Sequence, residues 1–212
     1  MKYTFKQTYT FPVTVASAVV AYLDCEHYTF LHKSCEKRYK TISLTGNKCV
    51  SEILYKSGIF SWKQKSTTEY IGLAELKQYD ISIYGFGPAI IANFFNVSTS
   101  LRYFENNEDR MVEDIEDDFK LKRIDKNDNT VLSEITYNLD IPFFLWPFKS
   151  LIRNKLELMK RSKDLEDLYM IKKRIKIFGS DYPLSENSPY WRPYFKKSYF
   201  LLFKETFINN FF

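Results

Sequence analysis

The chain has 212 residues, of which 45% are hydrophobic and 27% are charged, and this balance is typical of a folded globular protein and excludes a mainly disordered one. Its 19 Phe, 16 Tyr and 3 Trp supply enough aromatic surface for a large core or for the wall of an apolar cavity. The net charge of +5 comes from interleaved basic and acidic residues, which is too mild a bias to predict nucleic-acid binding.

The first predicted elements are a strand and one or two short helices. Apolar residues alternate with polar ones in residues 2–11, which favours a half-buried strand, and Pro12 ends it. Residues 13–31 carry Ala16, Val19, Val20 and Leu23 among good helix formers, which indicates helical segments.

A long β region follows. Alternation and β-branched residues, separated by turn signals such as Thr45-Gly46-Asn47, predict strands at residues 37–44, 49–56, 59–66, 79–86, 99–104, 111–122 and 131–139. Pro142 and Pro147 then precede the longest helix, predicted for residues 148–177 from leucines and isoleucines at helical spacing. Residues 181–212 are expected to form a C-terminal aromatic extension packed on a domain of residues 1–180.

This order of elements is an α+β plan: a curved antiparallel sheet of about seven strands wrapped around a long C-terminal helix. The space between sheet and helix can be a packed aromatic core or a hydrophobic ligand cavity, and composition does not separate the two. The odd number and close spacing of Cys25, Cys35 and Cys49, together with an N-terminus unlike a secretory signal, predict a cytoplasmic protein. No run of apolar residues approaches the length of a transmembrane helix.

Chemistry is concentrated around the two histidines of the chain, in the segment Asp24-x2-His27-x4-His32. Asp24 and His27 share a face of a helix, whereas His27 and His32 lie about 140° apart on a regular helix, so both reach one metal ion only across a helix end or a bulge. Two imidazoles and one carboxylate form the set that holds non-haem Fe(II) with open positions for O2 and substrate.

The order of elements resembles the START-like helix-grip (SRPBCC, Bet v 1-like) superfamily. The segment from Asp24 to His32 looks like the metal motif of the catalytic domain of Rieske-type ring-hydroxylating oxygenases, in particular the steroid-hydroxylase branch. The stretch Leu165-Glu166-Asp167-Leu168 resembles the helix that carries the third ligand in that family. The resemblance implies mononuclear Fe(II) bound by His27, His32 and Asp167, a catalytic role for Asp24, and O2-dependent oxidation of a bulky apolar substrate such as a sterol, terpenoid, aromatic compound or lipid.

The chain departs from that family in one respect. A Rieske [2Fe–2S] centre needs two Cys and two His ligands, and no histidine is left for it here. A separate electron-transfer protein is therefore expected if the chain is an oxidoreductase. In that family the acid at the position of Asp24 connects the iron to a neighbouring subunit's Rieske cluster. This chain provides no such cluster, so that role of Asp24 is not expected here.

Two other classes of function stay open. One is a non-enzymatic protein that binds or transfers a lipid, sterol or isoprenoid, with the histidines as core or cavity residues. The other is an accessory protein whose apolar tail docks on a partner. In residues 194–212 aromatic and lysine side chains are interleaved, which favours a helix on the domain or a peripheral contact with a membrane.

Overall fold

The computed structural model describes residues 1–15, 17–18, 36–45, 47–57, 60–72, 75–85, 96–114, 121–125 and 130–178. In this part of the chain nine strands form one sheet, in the order β2-β3-β4-β5-β6-β9-β1-β7-β8. The strands are β1 (Lys2–Phe11), β2 (Glu36–Thr45), β3 (Lys48–Ser57), β4 (Phe60–Gly72), β5 (Glu75–Gly85), β6 (Asn96–Glu105), β7 (Arg110–Asp114), β8 (Leu121–Ile124) and β9 (Val131–Asp140). A 3-10 helix (Phe143–Phe148) and helix α1 (Lys149–Phe178) follow.

Seven of the strands form the continuous antiparallel sheet that the sequence predicts, from β2 to β6 and on through β9 to β1. Strand β1 pairs with β9 over its whole length, from Lys2↔Asp140 to Phe11↔Val131, without a register shift. Strand β9 pairs along its other edge with β6 over its whole length. The predicted α+β class, a sheet with one long C-terminal helix, is therefore confirmed.

The predicted single strand over residues 111–122 is wrong in detail. The structure has two short strands there, β7 and β8, which pair antiparallel from Arg110↔Ile124 to Glu113↔Leu121. They extend the sheet beyond β1, and β7 runs parallel to β1 with partners only at Tyr9↔Glu113 and Thr10↔Asp114. Alternation of apolar and polar residues indicates that a segment is β-structure, but it does not show where one strand ends and the next begins.

The core lies between the inner face of the sheet and helix α1. Alternation along β1 directs Phe5, Tyr9 and Phe11 inward, and the Phe5 ring stacks on Tyr137 of β9 at 4.7 Å between centroids. Each buried large apolar side chain contributes about 1.5–3 kcal/mol. The fully buried large side chains are Tyr9, Phe11, Leu132, Ile141, Leu168 and Ile171.

Helix α1 agrees with the predicted helix of residues 148–177 to within one residue at each end. The 3-10 turn in front of it contains Pro147, and the junction packs on β1 through an edge-to-face contact between Tyr3 and Trp146. Lys149 lies over the Trp146 ring at 4.6 Å. These contacts place the N-terminal end of α1 above strand β1.

The predicted short helices after β1 are described only at their beginning. Thr14 precedes a helical turn at Val15, and its hydroxyl accepts a hydrogen bond from the Ser17 amide at 3.3 Å, as an N-cap does. The amide of Ala18 donates to the Thr14 carbonyl at 3.1 Å. The rest of residues 13–31, and the expected extension of residues 181–212, lie outside the described residues. Within the described ranges, no helix is both long and apolar enough to cross a membrane.

Candidate ligand-binding site

A groove of about 790 Å³ opens between the N-terminal half of helix α1 and the part of the sheet where β1 meets β7. Its walls come from three places: β1, the added strands β7 and β8, and two turns of α1. The lining residues are Lys6, Gln7, Thr8, Arg110, Met111, Val112, Leu121, Arg153, Asn154, Glu157 and Leu158.

The groove follows from the incomplete pairing of β1 with β7. The two parallel strands have partners only at Tyr9 and Thr10, at the C-terminal end of each strand. The residues before that point, 6–8 on β1 and 110–112 on β7, are not paired with one another and instead line the groove. Helix α1 passes over this gap, so the groove has a strand edge on each side and a helix above it.

Three apolar side chains of the groove remain largely in contact with solvent. Leu121 is 66% exposed, Met111 60% and Leu158 55%. They come from β8, β7 and α1 and border the same groove. Grouped exposed apolar side chains in a concave site are typical of a surface that binds an apolar molecule.

The charged side chains of the groove are paired. Arg153 donates from Nε to Oε1 of Glu157 one helical turn later, at 2.5 Å, and its guanidinium lies 5.4 Å from the Phe5 ring centroid. The hydrogen bond with Glu157 raises the pKa of Arg153. Lys6 pairs with Glu134 at 3.3 Å and Arg110 with Glu108 at 3.1 Å. Each cation among the described lining residues therefore has an acidic partner.

Gln7 is the buried polar side chain at the floor of the groove. It lies on the inner face of β1 between Phe5 and Tyr9, opposite Ile135 of β9, and is only 8% exposed. Its side-chain oxygen Oε1 is buried and has no hydrogen-bond partner among the residues that the structure describes. A buried amide oxygen without a partner is costly, and it marks a position where another molecule can supply the missing hydrogen bond.

A second polar cluster lies on the inner face of α1. Asp164 is 1% exposed and pairs with Lys160 one turn earlier. Burial raises the pKa of Asp164 from 3.8 to about 6, against the lowering effect of Lys160, and the negative charge of Asp167 adds to the increase. Burial, and then the charge of Asp164, also raise the pKa of Tyr137 far above its ordinary value. This cluster is enclosed by the core, in contrast to the open groove.

Only one of the predicted iron ligands falls in the described part of the chain. Asp167 lies on α1, as the sequence predicts, is half-buried, and is close enough to Asp164 to raise its pKa. Asp24, His27 and His32 lie outside the described residues. No three His, Cys, Asp or Glu side chains within the described ranges lie together as metal ligands would.

The residues of the groove were not found by sequence analysis. The sequence shows Gln7 as one of the polar residues that alternate with apolar ones in β1. It predicts Met111 and Leu121 as members of a single strand. The one available signal was a polar residue at an inward position of an otherwise apolar strand face, since Tyr3, Phe5, Tyr9 and Phe11 share the face of Gln7.

The chain matches no family model and no curated protein. It is similar in structure to several solved proteins at very low sequence identity. Ara h 8.0201 aligns at 11% identity with a TM-score of 0.58, over 82% of this chain and 99% of that one. The Zhui aromatase/cyclase from Streptomyces sp. R1128 aligns at 10% identity with a TM-score of 0.54, over 82% and 96%. A conserved protein from Geobacillus kaustophilus aligns at 14% identity with a TM-score of 0.55, over 81% and 96%.

These likenesses cover almost the whole of the three solved chains and about four fifths of this one. The di-domain ARO/CYC protein StfQ of the steffimycin biosynthetic pathway contains the same fold in half of its length, at 7% identity and a TM-score of 0.54. The protein thus has the helix-grip fold that the order of its elements predicts. At such identities the likeness concerns the fold, and the resemblance to Rieske-type oxygenases stays a prediction.

Proposed function

We propose that the protein binds a bulky, largely apolar small molecule in the groove between helix α1 and the sheet. The observation that carries this proposal is the groove itself, an open space of about 790 Å³ bordered by the exposed side chains of Met111, Leu121 and Leu158. Its volume is within the range of about 300–1,000 Å³ that small-molecule sites occupy. Covering these side chains gives an apolar ligand its main driving force.

The structural likenesses support the same class of ligand. Two of the similar proteins are named as aromatase/cyclases, and one of them belongs to a biosynthetic pathway, so this fold serves proteins that act on small organic molecules. Function resides in the site and not in the fold, so the support is by analogy only. The ligand classes expected from the sequence, sterols, terpenoids, aromatic compounds and lipids, all suit an apolar groove.

The proposal is tested with a fluorescent apolar probe, 1-methylpyrene, and one matched pair of variants. Leu158→Arg places a charge in the groove, and Leu151→Arg places the same charge at an exposed position of α1 that does not line it. Burying a leucine contributes about 1.5–3 kcal/mol, so Leu158→Arg should weaken probe binding at least tenfold. Leu151→Arg should bind like the wild type. Equal affinity in all three proteins, or no binding to any, would refute the proposal.

We propose as a second candidate that His27, His32 and Asp167 hold Fe(II) and that the protein oxidises its apolar ligand with O2. This rests on the resemblance of the two sequence segments, and it is supported by the half-buried position of Asp167 on α1. When bound, iron would supply the redox chemistry that no side chain offers. The carboxylate of Asp167 would bind the metal, and the apolar side chains would position the substrate and exclude water. Electrons would come from a separate protein.

The second candidate is tested by metal content, independently of any activity. Protein reconstituted with Fe(II) under anaerobic conditions should hold about one iron per chain, and His27→Ala and Asp167→Asn should each lose it while keeping the wild-type circular dichroism spectrum. Glu166→Gln, at the adjacent position of α1, is the matched control and should keep the iron. Iron retained in Asp167→Asn would show that the third ligand is misassigned. No iron in the wild type would leave the non-enzymatic carrier.

A further inference from the structure

The polar floor of the groove bears on the kind of ligand that it takes. Gln7 is more than nine-tenths buried, on the inner face of β1, and its Oε1 has no hydrogen-bond partner within the described ranges. A carboxamide has two donors and an acceptor oxygen on one small group. Turning the carboxamide by half a turn exchanges its oxygen and its nitrogen, so the same side chain can meet a hydroxyl or a carbonyl.

The charges around Gln7 point to a neutral ligand. In the part of the chain that the structure describes, the groove is lined by three cationic residues and one acid. Each of these cations is already paired: Arg153 with Glu157, Lys6 with Glu134, and Arg110 with Glu108. A carboxylate or phosphate ligand would have to displace one of these pairs, and a cationic ligand would meet the guanidinium of Arg153. A neutral oxygen group meets the carboxamide of Gln7 without disturbing any of them.

The apolar and polar parts of the groove are also separated in space. Met111, Leu121 and Leu158 are exposed at its border, whereas Gln7 is buried at its floor. A molecule that fits both the apolar border and the polar floor has an apolar body and one polar atom, located at the end that enters the groove first. Such an arrangement fixes the orientation of the ligand, because an apolar end at the floor would leave the Gln7 carboxamide without a partner.

We propose that Gln7 is the recognition residue of the groove and that the ligand is a neutral, apolar molecule with a terminal hydroxyl or carbonyl oxygen. This inference rests on the proposed binding function and names the ligand class for it. The groove lies at the added strands β7 and β8, which form one of its walls.

The test uses four probes with one aromatic frame: 1-methylpyrene, 1-pyrenemethanol, 1-pyrenecarboxaldehyde and 1-pyrenecarboxylate. Gln7→Met keeps the length of the side chain and removes its hydrogen-bonding atoms. We expect this variant to bind the alcohol, the aldehyde or both about fivefold more weakly than the wild type, and 1-methylpyrene within about twofold of it. Unchanged binding of 1-methylpyrene shows that the variant is folded, and Gln7→Leu serves as a second variant if it is not.

The control is Gln64→Met, on β4, which does not line the groove and should leave all four affinities unchanged. A loss of the same size for 1-methylpyrene and for the oxygen-bearing probes would overturn the role of Gln7 while leaving the binding function intact. A preference of the wild type for 1-pyrenecarboxylate over the alcohol would overturn the neutral class. If the wild type binds none of the probes, the binding function itself fails.

Discussion

The buried carboxyl of Asp164 gives the protein a pH-dependent stability that one substitution removes. Asp164 is 1% exposed on the inner face of α1, and burial raises its pKa from 3.8 to about 6 even though Lys160 is its partner. The folded protein therefore binds the Asp164 proton more tightly than the unfolded chain does. As a result, acidification from pH 7 towards pH 4 favours the folded state at this position.

The size of the effect follows from the two pKa values. A shift from 3.8 to about 6 corresponds to about 3 kcal/mol. This contribution is complete below the unfolded pKa, is lost as the pH rises through the folded pKa, and is absent at neutral pH. In Asp164→Asn the carboxamide does not titrate. The substitution also removes the partner of Lys160, which changes the free energy of unfolding by a constant amount at every pH compared. The stability of the variant minus that of the wild type should therefore decrease by about 2 kcal/mol between pH 7 and pH 4, because pH 4 is still slightly above the unfolded pKa.

The assay is equilibrium urea unfolding followed by tryptophan fluorescence, since Trp62 and Trp146 both lie in packed positions of the fold. Wild type and Asp164→Asn are measured in the same buffers from about pH 4 to about pH 7, so that the other carboxylates cancel in the difference. A difference that stays constant over this range would refute the reasoning, because it would mean that Asp164 titrates alike in the folded and unfolded states.

Three further substitutions test the packing. Lys160→Met leaves the Asp164 carboxylate buried without its cation. It should lower the free energy of unfolding by about 3–5 kcal/mol at pH 7 and by less at pH 4. Equal losses at both pH values in urea unfolding would contradict the pairing. Phe5→Ala removes the ring stacked on Tyr137 and should cost about 3–5 kcal/mol, a loss that thermal denaturation would show; an unchanged melting temperature would count against that core. Gly85→Ala should lower the free energy of unfolding by about 1–3 kcal/mol, because Gly85 has φ +143° and a Cβ there would lie 2.6 Å from the Ser61 carbonyl oxygen. A variant as stable as the wild type would argue against this geometry of the β4–β5 pair.

The elements that the sequence predicts best are those whose signal is local. Strand β1 and helix α1 agree with the prediction almost to the residue, because each has a clear period of apolar residues and a proline at one end. The ends of β4 and β5 were less predictable. The structure continues β4 to Gly72 and begins β5 at Glu75. Many of the added residues, such as Thr67, Thr68 and Glu69, are polar and half-buried and so give little alternation.

The groove could not be predicted because it depends on pairing between distant parts of the chain. Strands β1 and β7 are about a hundred residues apart, and the gap between them comes from a parallel register of two residue pairs. Nothing in the sequence near Gln7 or Met111 specifies that register. By contrast, the segment from Asp24 to His32 is a short local pattern, so its resemblance to a known metal motif is visible in the sequence alone. For Asp167 the structure provides only its half-buried position on α1.

The central claim, that an apolar molecule binds between helix α1 and strands β7 and β8, is tested most directly by photo-crosslinking. The wild-type protein is irradiated with a pyrene alcohol that carries a diazirine, and the labelled peptides are identified by mass spectrometry. We expect labels on Met111, Leu121 and Leu158, with competition by unlabelled 1-pyrenemethanol. Labels confined to other parts of the chain, or no label that competes, would contradict the claim.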